Sequence, residues 1–256
     1  MPVEYLSIAQ ARECPGLRLV VLRKLPSPWT QAAKALLRVK GIEAVLVERS
    51  PDDAPDALED WTGQDSFPAA MYESERPRSG WAEILLLAER LAPEPRLIPR
   101  DPAERALFFG LCHEIAGEMG LAWCRRLEMV EPGFRTDPPN PFSVWLGSKY
   151  GYSKETGAVA HARVIEVLRL LRETLEAQRA AGRRFLLGDS LSALDLYWAT
   201  FCNIVAPLPP ELMPMPEAMR PMFTATEPDI QTLLEGPLLE HRDFIYREHL
   251  ELPVQL

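Results

Sequence analysis

Gly188-Asp189-Ser190-Leu191-Ser192-Ala193-Leu194-Asp195 is the most informative stretch of this sequence. Within it, Ser192 and Asp195 have the spacing of a capping box, in which two side chains accept hydrogen bonds from backbone N–H groups at a helix start. The motif predicts a helix that begins after Ser192 and ends near Pro207. Because short motifs of this kind are common, its meaning depends on the elements around it.

The rest of the second half has the pattern of an all-helical region. Asp101-Pro102-Ala103-Glu104 fits an N-cap, a proline at the first helical position and a glutamate at the third. We expect the helix that it opens to extend to about Arg126. A second long helix is predicted from about Glu155 to Ala181, with apolar residues on one face. At least one more is predicted between Glu227 and Leu250.

The first half alternates strand and helix. Leu17 to Leu22 is rich in branched apolar residues and predicts a strand. Ser27 is a suitable N-cap, and Pro28 a suitable first residue, for a helix that extends to Lys40. Ile42 to Val47 predicts a second strand. Because parallel strands need a crossover helix, these segments predict a β-α-β unit.

A Phe-Pro step and a further helix complete this half. Phe67-Pro68 precedes a short predicted strand, and the polar residues from Tyr72 to Gly80 predict a turn. Trp81 to Leu91 is very apolar and predicts a buried helix. A proline cluster from Pro93 to Pro102 then separates two differently patterned halves, so we predict two domains, 1–92 and 93–256. A second proline cluster, at 132–141, predicts a loop, and a third extends from Pro207 to Pro221.

Composition and charge narrow the classes of function. Of 256 residues, 47% are hydrophobic and 25% are charged, as in an ordinary globular protein with a sizeable core. The formal charge of −9 argues against a general binder of nucleic acid or acidic membranes. Four widely spaced cysteines argue against a disulfide framework and favour a reducing, cytoplasmic compartment. The start, Met1-Pro2-Val3-Glu4-Tyr5, lacks the pattern of a signal peptide, and no apolar run approaches the roughly 20 residues that cross a bilayer.

Taken in order, these elements resemble the soluble (cytosolic) glutathione S-transferase superfamily, as a serine-type or atypical member. The resemblance covers roughly residues 17–205 and depends on Ser27-Pro28, Phe67-Pro68 and the capping motif at Asp195 in that order. It implies an α/β plus all-α fold class, with a thioredoxin-like N-terminal domain followed by an all-helical C-terminal domain. It also implies a cis peptide bond before Pro68.

The resemblance implies glutathione as the cofactor. In this family the N-terminal domain binds glutathione and lowers the pKa of its thiol, and the thiolate attacks an electrophile held against the helical domain. A nearby hydroxyl donor and a helix N-terminus favour the charged thiolate. Ser27 stands where family members carry a catalytic Ser or Cys, so it is our candidate donor. Its alternative role is as an N-cap alone, worth about 1 kcal/mol, and one hydroxyl can serve both roles.

The resemblance also implies glutathione-binding residues. They are Ser27, Trp29, Gln64, Phe67, Pro68, Ser79, Gly80 and Trp81. The backbone of Phe67 is expected to pair with the cysteinyl part of the peptide as an added strand, with a simple turn as the alternative. For Gln64, the role of a turn residue is a better explanation than a contact with the peptide. The family has an acidic residue and a serine for the γ-glutamyl end, but Gly80 and Trp81 stand there in this sequence, or Arg78 and Ser79 when the alignment is shifted back by two residues. The carboxylate is therefore lacking, although Ser79 offers a hydroxyl nearby.

Candidate residues for a second-substrate pocket come from the helical half. Phe109, His113 and Trp123 are polarisable groups suited to an aromatic or hydrophobic ligand, and Trp145 and Tyr150 share this character. Each of them taken alone is better explained as a core residue, and the apolar neighbours of His113 indicate a core histidine. No histidine has metal-ligand spacing with a cysteine or carboxylate, so we predict no metal site.

Two hypotheses about function follow. The first is an enzyme in which Ser27 activates glutathione for attack on a small hydrophobic electrophile, in conjugation, dehalogenation, ether cleavage or isomerisation. The second is a non-catalytic scaffold of the same fold that binds a ligand or a partner protein, and the change at Gly80-Trp81 favours it. The resemblance implies a cytoplasmic homodimer, and we expect no nucleic-acid or membrane partner.

Overall fold

The computed structural model describes residues 4–256; Met1, Pro2 and Val3, which begin the N-terminal stretch considered above, lie outside the described residues. The described chain forms two compact units. The first contains the residues up to Leu97 together with Pro210–Pro216 and His249–Leu256. The second contains Ile98–Pro209 and Glu217–Glu248. The predicted division after residue 92 therefore differs from the observed one, because two late segments return to the first unit.

A four-stranded sheet forms the centre of the first unit. Its strands are β1 (Tyr5–Leu6), β2 (Leu17–Val20), β3 (Val45–Val47) and β4 (Ala69–Tyr72), in the order β1-β3-β2-β4. The first three are parallel to one another, and β4 is antiparallel to β2. The predicted β-α-β unit and the strand after Pro68 are confirmed, whereas β1 has no counterpart in the sequence prediction.

Helices cover both faces of this sheet. They are α1 (Ile8–Arg12), α2 (Pro28–Val39), α3 (Ala57–Thr62) and α4 (Trp81–Leu91). Leu19 of β2 belongs to a core that it shares with Ala33 of α2 and with residues of α4. The next residue, Val20, belongs to a second core with Ile8 of α1 and residues of α3. This alternation follows because successive side chains of a strand point to opposite faces.

The two late segments belong to the first unit because they are bound to it. The side chains of Gln31 and Lys34 on α2 donate to the carbonyl oxygen of Gln255, at 3.2 and 2.6 Å. Arg38, also on α2, forms an ion pair with Glu251 at 3.2 Å. No local sequence pattern predicts contacts between residues so far apart in the chain.

The second unit is helical. Its helices are α5 (Pro102–Ala116), α6 (Leu121–Phe134), α7 (Pro141–Lys149), α8 (Lys154–Ala180), α9 (Ala193–Phe201), α10 (Arg220–Phe223), α11 (Pro228–Leu234) and α12 (Pro237–His249). The long helix α8 and the helix after Ser192 are confirmed. No helix among residues 4–256 combines the length and apolar character that crossing a bilayer requires.

The single helix expected up to Arg126 is wrong, because the chain breaks between α5 and α6. A β-carbon at Gly120 would lie only 2.6 Å from the carbonyl oxygen of Glu114, so only glycine allows this close approach. Met119 just before it has a φ of 56°, which no helix tolerates. The loop predicted at 132–141 is also shorter than expected, since Pro132 lies in the last turn of α6.

The start of α9 is organised by the carboxylate of Asp195, which has no exposed surface. Its Oδ1 accepts hydrogen bonds from the Leu186 N–H at 2.8 Å and from His241 Nε2 at 2.9 Å. Its Oδ2 accepts from the N–H and the hydroxyl of Ser192, at 2.9 and 2.8 Å. The capping motif is therefore confirmed, and it includes a histidine that the spacing does not reveal.

A second histidine joins three helices of this unit. His161 on α8 contacts Glu128 on α6 through Nδ1 at 2.9 Å and Asp229 on α11 through Nε2 at 2.8 Å. Arg125 completes the cluster with ion pairs to Glu128 at 2.7 Å and Glu227 at 3.0 Å. The hydrogen bond with Asp229, followed by the one with Glu128, raises the pKa of His161. The same bond with His161 lowers the pKa of Asp229.

Replacing Asp195 with alanine removes the acceptor of four buried donors. We expect Asp195→Ala to lower the free energy of unfolding by about 3–5 kcal/mol, measured by urea denaturation. Asp189→Ala is the matched control in the same loop, because the Asp189 side chain is 82% exposed. Its effect should stay below about 0.5 kcal/mol. Equal losses in the two variants would contradict the structural role of the buried carboxylate.

We expect His161→Gln to destabilise the protein more at pH 6 than at pH 9. Because the pKa of His161 is raised on folding, its contribution is complete below the unfolded-state pKa of about 6.5. That contribution is lost as the pH rises through the folded-state pKa. Urea denaturation at both pH values measures the difference, with His113→Gln at an exposed histidine as the control. A destabilisation that grows towards pH 9 would disprove the ionic role.

Candidate functional site

Three of the predicted segments meet at one edge of the sheet in the first unit. Val20, at the carboxyl end of β2, is paired with Ala69 at the start of β4. Pro68 therefore lies beside the loop that leads from β2 to α2. The chain turns after β4 and returns through the backbone pairing of Arg78 with Ala70. This return brings the start of α4 to the same edge.

Ser27 is the N-cap of α2. Its side-chain oxygen accepts a hydrogen bond from the Thr30 N–H at 3.4 Å, and Pro28 occupies the first helical position, both as predicted. Thr30 Oγ1 in turn accepts a bond from the Leu22 N–H at 3.4 Å, which ties the loop to the helix. Ser27 is only 7% exposed. Capping uses an acceptor position of its hydroxyl and leaves the proton for another acceptor.

The Phe67-Pro68 peptide bond is cis, as the resemblance implies. The loop before it is held by Gln64, whose amide donates to Thr62 Oγ1 and to the Ser66 carbonyl oxygen, both at 3.1 Å. Gln64 Oε1 also accepts from the Ser66 N–H at 2.5 Å. These bonds fit the interpretation of Gln64 as a turn residue. Phe67 packs against the core on the α1–α3 face of the sheet, and this packing orients its backbone.

A carboxylate is present at the start of α4, although the two expected positions lack one. Gly80 is the N-cap, and Glu83 reaches back to accept from the Gly80 N–H at 3.3 Å. Glu83 also forms an ion pair with Arg76 at 2.7 Å. Burial by itself raises the pKa of Glu83, but hydrogen bonds from Arg76, Gly80 and Ser79 lower it overall.

Glu83 therefore corrects the expectation that this helix start has no carboxylate. The signal for it is present in the sequence, because a glutamate at the third helical position commonly bonds back to the N-cap backbone. Three other predicted residues, Trp29, Ser79 and Trp81, are partly buried at or beside the starts of α2 and α4, and Gly80 is exposed. All the predicted glutathione-binding residues thus lie in the first unit.

The residues predicted for a second-substrate pocket lie in the second unit, in different surroundings. Phe109 is partly buried on α5, with the guanidinium carbon of Arg105 at 5.0 Å from its ring centre. Trp123 donates from Nε1 to the carbonyl oxygen of Tyr150 at 2.9 Å, and the two rings meet edge to face at 4.9 Å. Trp123 therefore fastens α6 to the end of α7.

Two aromatic side chains that the sequence predicts to be core residues are exposed. His113 is exposed on α5, with its ring against Gly117, where a β-carbon would lie 2.3 Å from Nδ1. Trp145 on α7 is 59% exposed. The expectation failed because each residue turns about 100° from the last around a helix, so apolar neighbours in sequence do not place a side chain inside. The buried histidine is His241, the partner of Asp195.

Comparison with known proteins establishes the fold. No protein-family model and no curated protein matches the sequence. A glutathione S-transferase from Methylobacillus flagellatus KT with bound glutathione has a TM-score of 0.58 at 13% identity, covering 88% of this chain and 98% of its own. A glutathione transferase from Pseudomonas putida with bound glutathione disulfide has a TM-score of 0.55 at 16% identity, covering 92% and 95%. The beta-etherase LigF from Sphingobium sp. strain SYK-6 has a TM-score of 0.55 at 17% identity, covering 90% and 99%.

The chain therefore has the glutathione transferase fold, with a thioredoxin-like N-terminal domain and a helical C-terminal domain. Transferases of the Tau and Omega classes are among the matching structures. The resemblance inferred from the sequence is confirmed at the level of the fold.

We expect Ser27→Ala to lower the free energy of unfolding by about 1 kcal/mol, because the Thr30 N–H loses its acceptor. Chemical denaturation measures this loss. Ser190→Ala, at an exposed serine in the loop before α9, is the control and should change little. If Ser27→Ala were as stable as the wild type, Ser27 would not be an effective cap.

Proposed function

We propose that this chain binds glutathione at the edge of the sheet where Ser27, Pro68 and the start of α4 meet, and that Ser27 activates its thiol. The observation that carries the proposal is the place of Ser27. It caps α2, the helix that follows β2, and the carboxyl end of β2 is paired with the strand that begins directly after the cis Phe67-Pro68 bond. The activated thiolate then attacks a small hydrophobic electrophile.

Ser27 and α2 favour the same charge state of the thiol. The Ser27 hydroxyl donates its proton in a hydrogen bond to the sulfur, and the helix N-terminus contributes partial positive charge. Both interactions stabilise the thiolate and lower the thiol pKa. A free thiol with a pKa of about 8.5 is only a few per cent ionised at neutral pH, so one unit of depression supplies roughly tenfold more nucleophile.

Two further groups hold the peptide in this proposal. The backbone of Phe67 pairs with the cysteinyl residue as an added strand. Glu83 binds the ammonium of the γ-glutamyl end, and its lowered pKa keeps it ionised at neutral pH. Its present partner, Arg76, has a side chain that is 67% exposed, so the pair can open to water at little cost.

The electrophile is proposed only as a class. Phe109 and His113 remain candidates for its contacts, whereas Trp123 already donates its N–H to Tyr150. One matching structure is a beta-etherase, so ether cleavage stands beside conjugation, dehalogenation and isomerisation as the proposed reaction. We also propose a cytoplasmic homodimer, and the four free cysteines suit a reducing compartment.

The alternative is a non-catalytic scaffold with the same fold. It is favoured by the contacts that Glu83 already makes, because Arg76 and the Gly80 N–H occupy its oxygens. Glutathione binding separates the two proposals.

We expect glutathione to bind with a dissociation constant between micromolar and low millimolar, roughly −4 to −8 kcal/mol, in calorimetric titration near pH 7. Glu83→Gln keeps a side-chain acceptor for the Gly80 N–H but removes the charge, so the affinity should fall about tenfold. Glu104→Gln, at the same helical position of α5, is the matched control. No heat and no thermal shift at millimolar glutathione would refute the transferase proposal and leave the scaffold.

Two variants distinguish the role of Ser27 as a helix cap from its proposed role as a donor to the thiolate. Asparagine caps a helix as well as serine but has no hydroxyl, so Ser27→Asn should keep the stability within about 0.5 kcal/mol. It should nevertheless raise the pKa of bound glutathione, followed through thiolate absorbance against pH. Ser27→Thr retains both the cap and the hydroxyl and should retain the lowered pKa. An unchanged thiol pKa in Ser27→Asn would show that the hydroxyl is not required to lower the thiol pKa.

A further inference from the structure

The ion pair between Arg76 and Glu83 lies at the start of α4, where the proposed function places the γ-glutamyl end of glutathione. That end is a zwitterion, because its α-carbon carries both an ammonium and a carboxylate. The proposed function gives the ammonium to Glu83 and leaves the carboxylate without a partner. A cation beside Glu83 is the group that this carboxylate requires.

Arg76 uses only one nitrogen of its guanidinium. Its Nη1 contacts Glu83 Oε1 at 2.7 Å and the carbonyl oxygen of Pro77 at 3.5 Å. Within residues 4–256, its Nε and Nη2 donate no hydrogen bond. A guanidinium presents five N–H donors in a planar fork that matches the two oxygens of a carboxylate. Arg76 can therefore bind a carboxylate through donors that the protein does not use.

The backbone at Arg76 is fixed, whereas its side chain is exposed. Glu75 accepts hydrogen bonds from Arg78 at 2.6 Å and from Arg90 of α4 at 2.7 Å, which joins the turn after β4 to the helix. Arg78 also donates to the carbonyl oxygen of Arg76 at 3.1 Å. The Arg76 side chain itself is 67% exposed, so it can turn from Glu83 towards a ligand at little energetic cost.

Glu83 is held more firmly than Arg76. Its Oε2 accepts from the Gly80 N–H at 3.3 Å, and its Oε1 is the oxygen that contacts Arg76. A β-carbon at position 80 would lie 3.3 Å from Oε2, closer than an ordinary van der Waals contact, so glycine gives the carboxylate room to reach back. An ammonium that binds Oε1 can therefore take the place of Arg76 and leave the bond to Gly80 intact.

We propose that Arg76 and Glu83 form a clamp that selects the zwitterionic head of the γ-glutamyl residue. In the free protein the two side chains pair with each other. When glutathione binds, its ammonium takes the place of Arg76 at Glu83 Oε1, and its α-carboxylate takes the place of Glu83 at the guanidinium. One pair of opposite charges becomes two pairs, so no charge is left without a partner. The clamp depends on the proposed function and makes Arg76 a specificity-determining residue of the same site.

A clamp and a merely blocking role of Arg76 have opposite effects on affinity. Removal of a blocking side chain frees Glu83 and strengthens glutathione binding, whereas removal of a side chain that binds the carboxylate weakens it. We expect Arg76→Gln to raise the dissociation constant for glutathione about fivefold in calorimetric titration near pH 7. Arg135→Gln, which breaks an exposed ion pair with Glu131 in the second unit, is the matched control and should bind glutathione like the wild type.

Two glutathione analogues locate the contact. γ-Aminobutyryl-cysteinylglycine keeps the ammonium and lacks the α-carboxylate, whereas glutaryl-cysteinylglycine keeps the carboxylate and lacks the ammonium. We expect the wild type to bind each analogue at least about fivefold more weakly than glutathione. Arg76→Gln should bind the aminobutyryl peptide at least as well as the wild type does, because that ligand has no α-carboxylate for Arg76. It should bind the glutaryl peptide more weakly than the wild type does.

The outcomes distinguish the clamp from the proposed function. Unchanged or tighter glutathione binding in Arg76→Gln would overturn the clamp and leave the proposed function in place. A weaker affinity of this variant for the aminobutyryl peptide would also overturn the clamp, because the effect would then not require the ligand's α-carboxylate. Failure of the wild type to bind glutathione would overturn both. The melting temperature of Arg76→Gln should stay unchanged, since an exposed ion pair contributes little to stability.

Discussion

A single buried carboxylate constrains the second unit. A carboxyl side chain without exposed surface is stable only where the protein replaces its lost hydrogen bonds to water, and four donors do this for Asp195. Ser192 supplies two of them, Leu186 one and His241, 46 residues later, the fourth. The carboxylate therefore joins the loop before α9, the first turn of α9 and α12. Asparagine has a similar size but only one side-chain oxygen, so only aspartate can accept these hydrogen bonds through two oxygens.

In the first unit, the pairing of the strands determines where the residues of the candidate site lie. Parallel pairing of β2 with β3 demands a crossover helix, and the N-terminus of that helix lies at the carboxyl edge of the strands. The antiparallel pairing of Val20 with Ala69 brings the cis Phe67-Pro68 bond to the same edge. Topology thus places a helix N-terminus, which favours an anion, beside backbone suited to an extended peptide. Ser27 then adds a side-chain hydroxyl at this helix N-terminus.

The features that the sequence predicts are local, and the ones that it misses join distant residues. Ser27 as a cap and the capping role of Asp195 follow from spacings of three residues, which one helical turn enforces. The bonds of Asp195 to His241 and of α2 to Gln255 depend on how separate helices pack, and no periodic pattern encodes them. Glu83 is intermediate, because its bond to Gly80 is local but its ion pair with Arg76 depends on the turn after β4.

The cap at Ser27 and the proposed thiol activation reinforce each other. A hydroxyl that accepts a hydrogen bond from the Thr30 N–H has its own O–H further polarised, so it becomes a better donor to a thiolate. Aspartate would cap α2 equally well, but its charge would repel the thiolate and raise the thiol pKa. Asparagine would cap it and present a weaker, differently placed donor. In this proposal, serine caps α2 and also donates a hydrogen bond to the thiolate. Both the hydroxyl and the N-terminus of α2 then stabilise the negative charge on the sulfur.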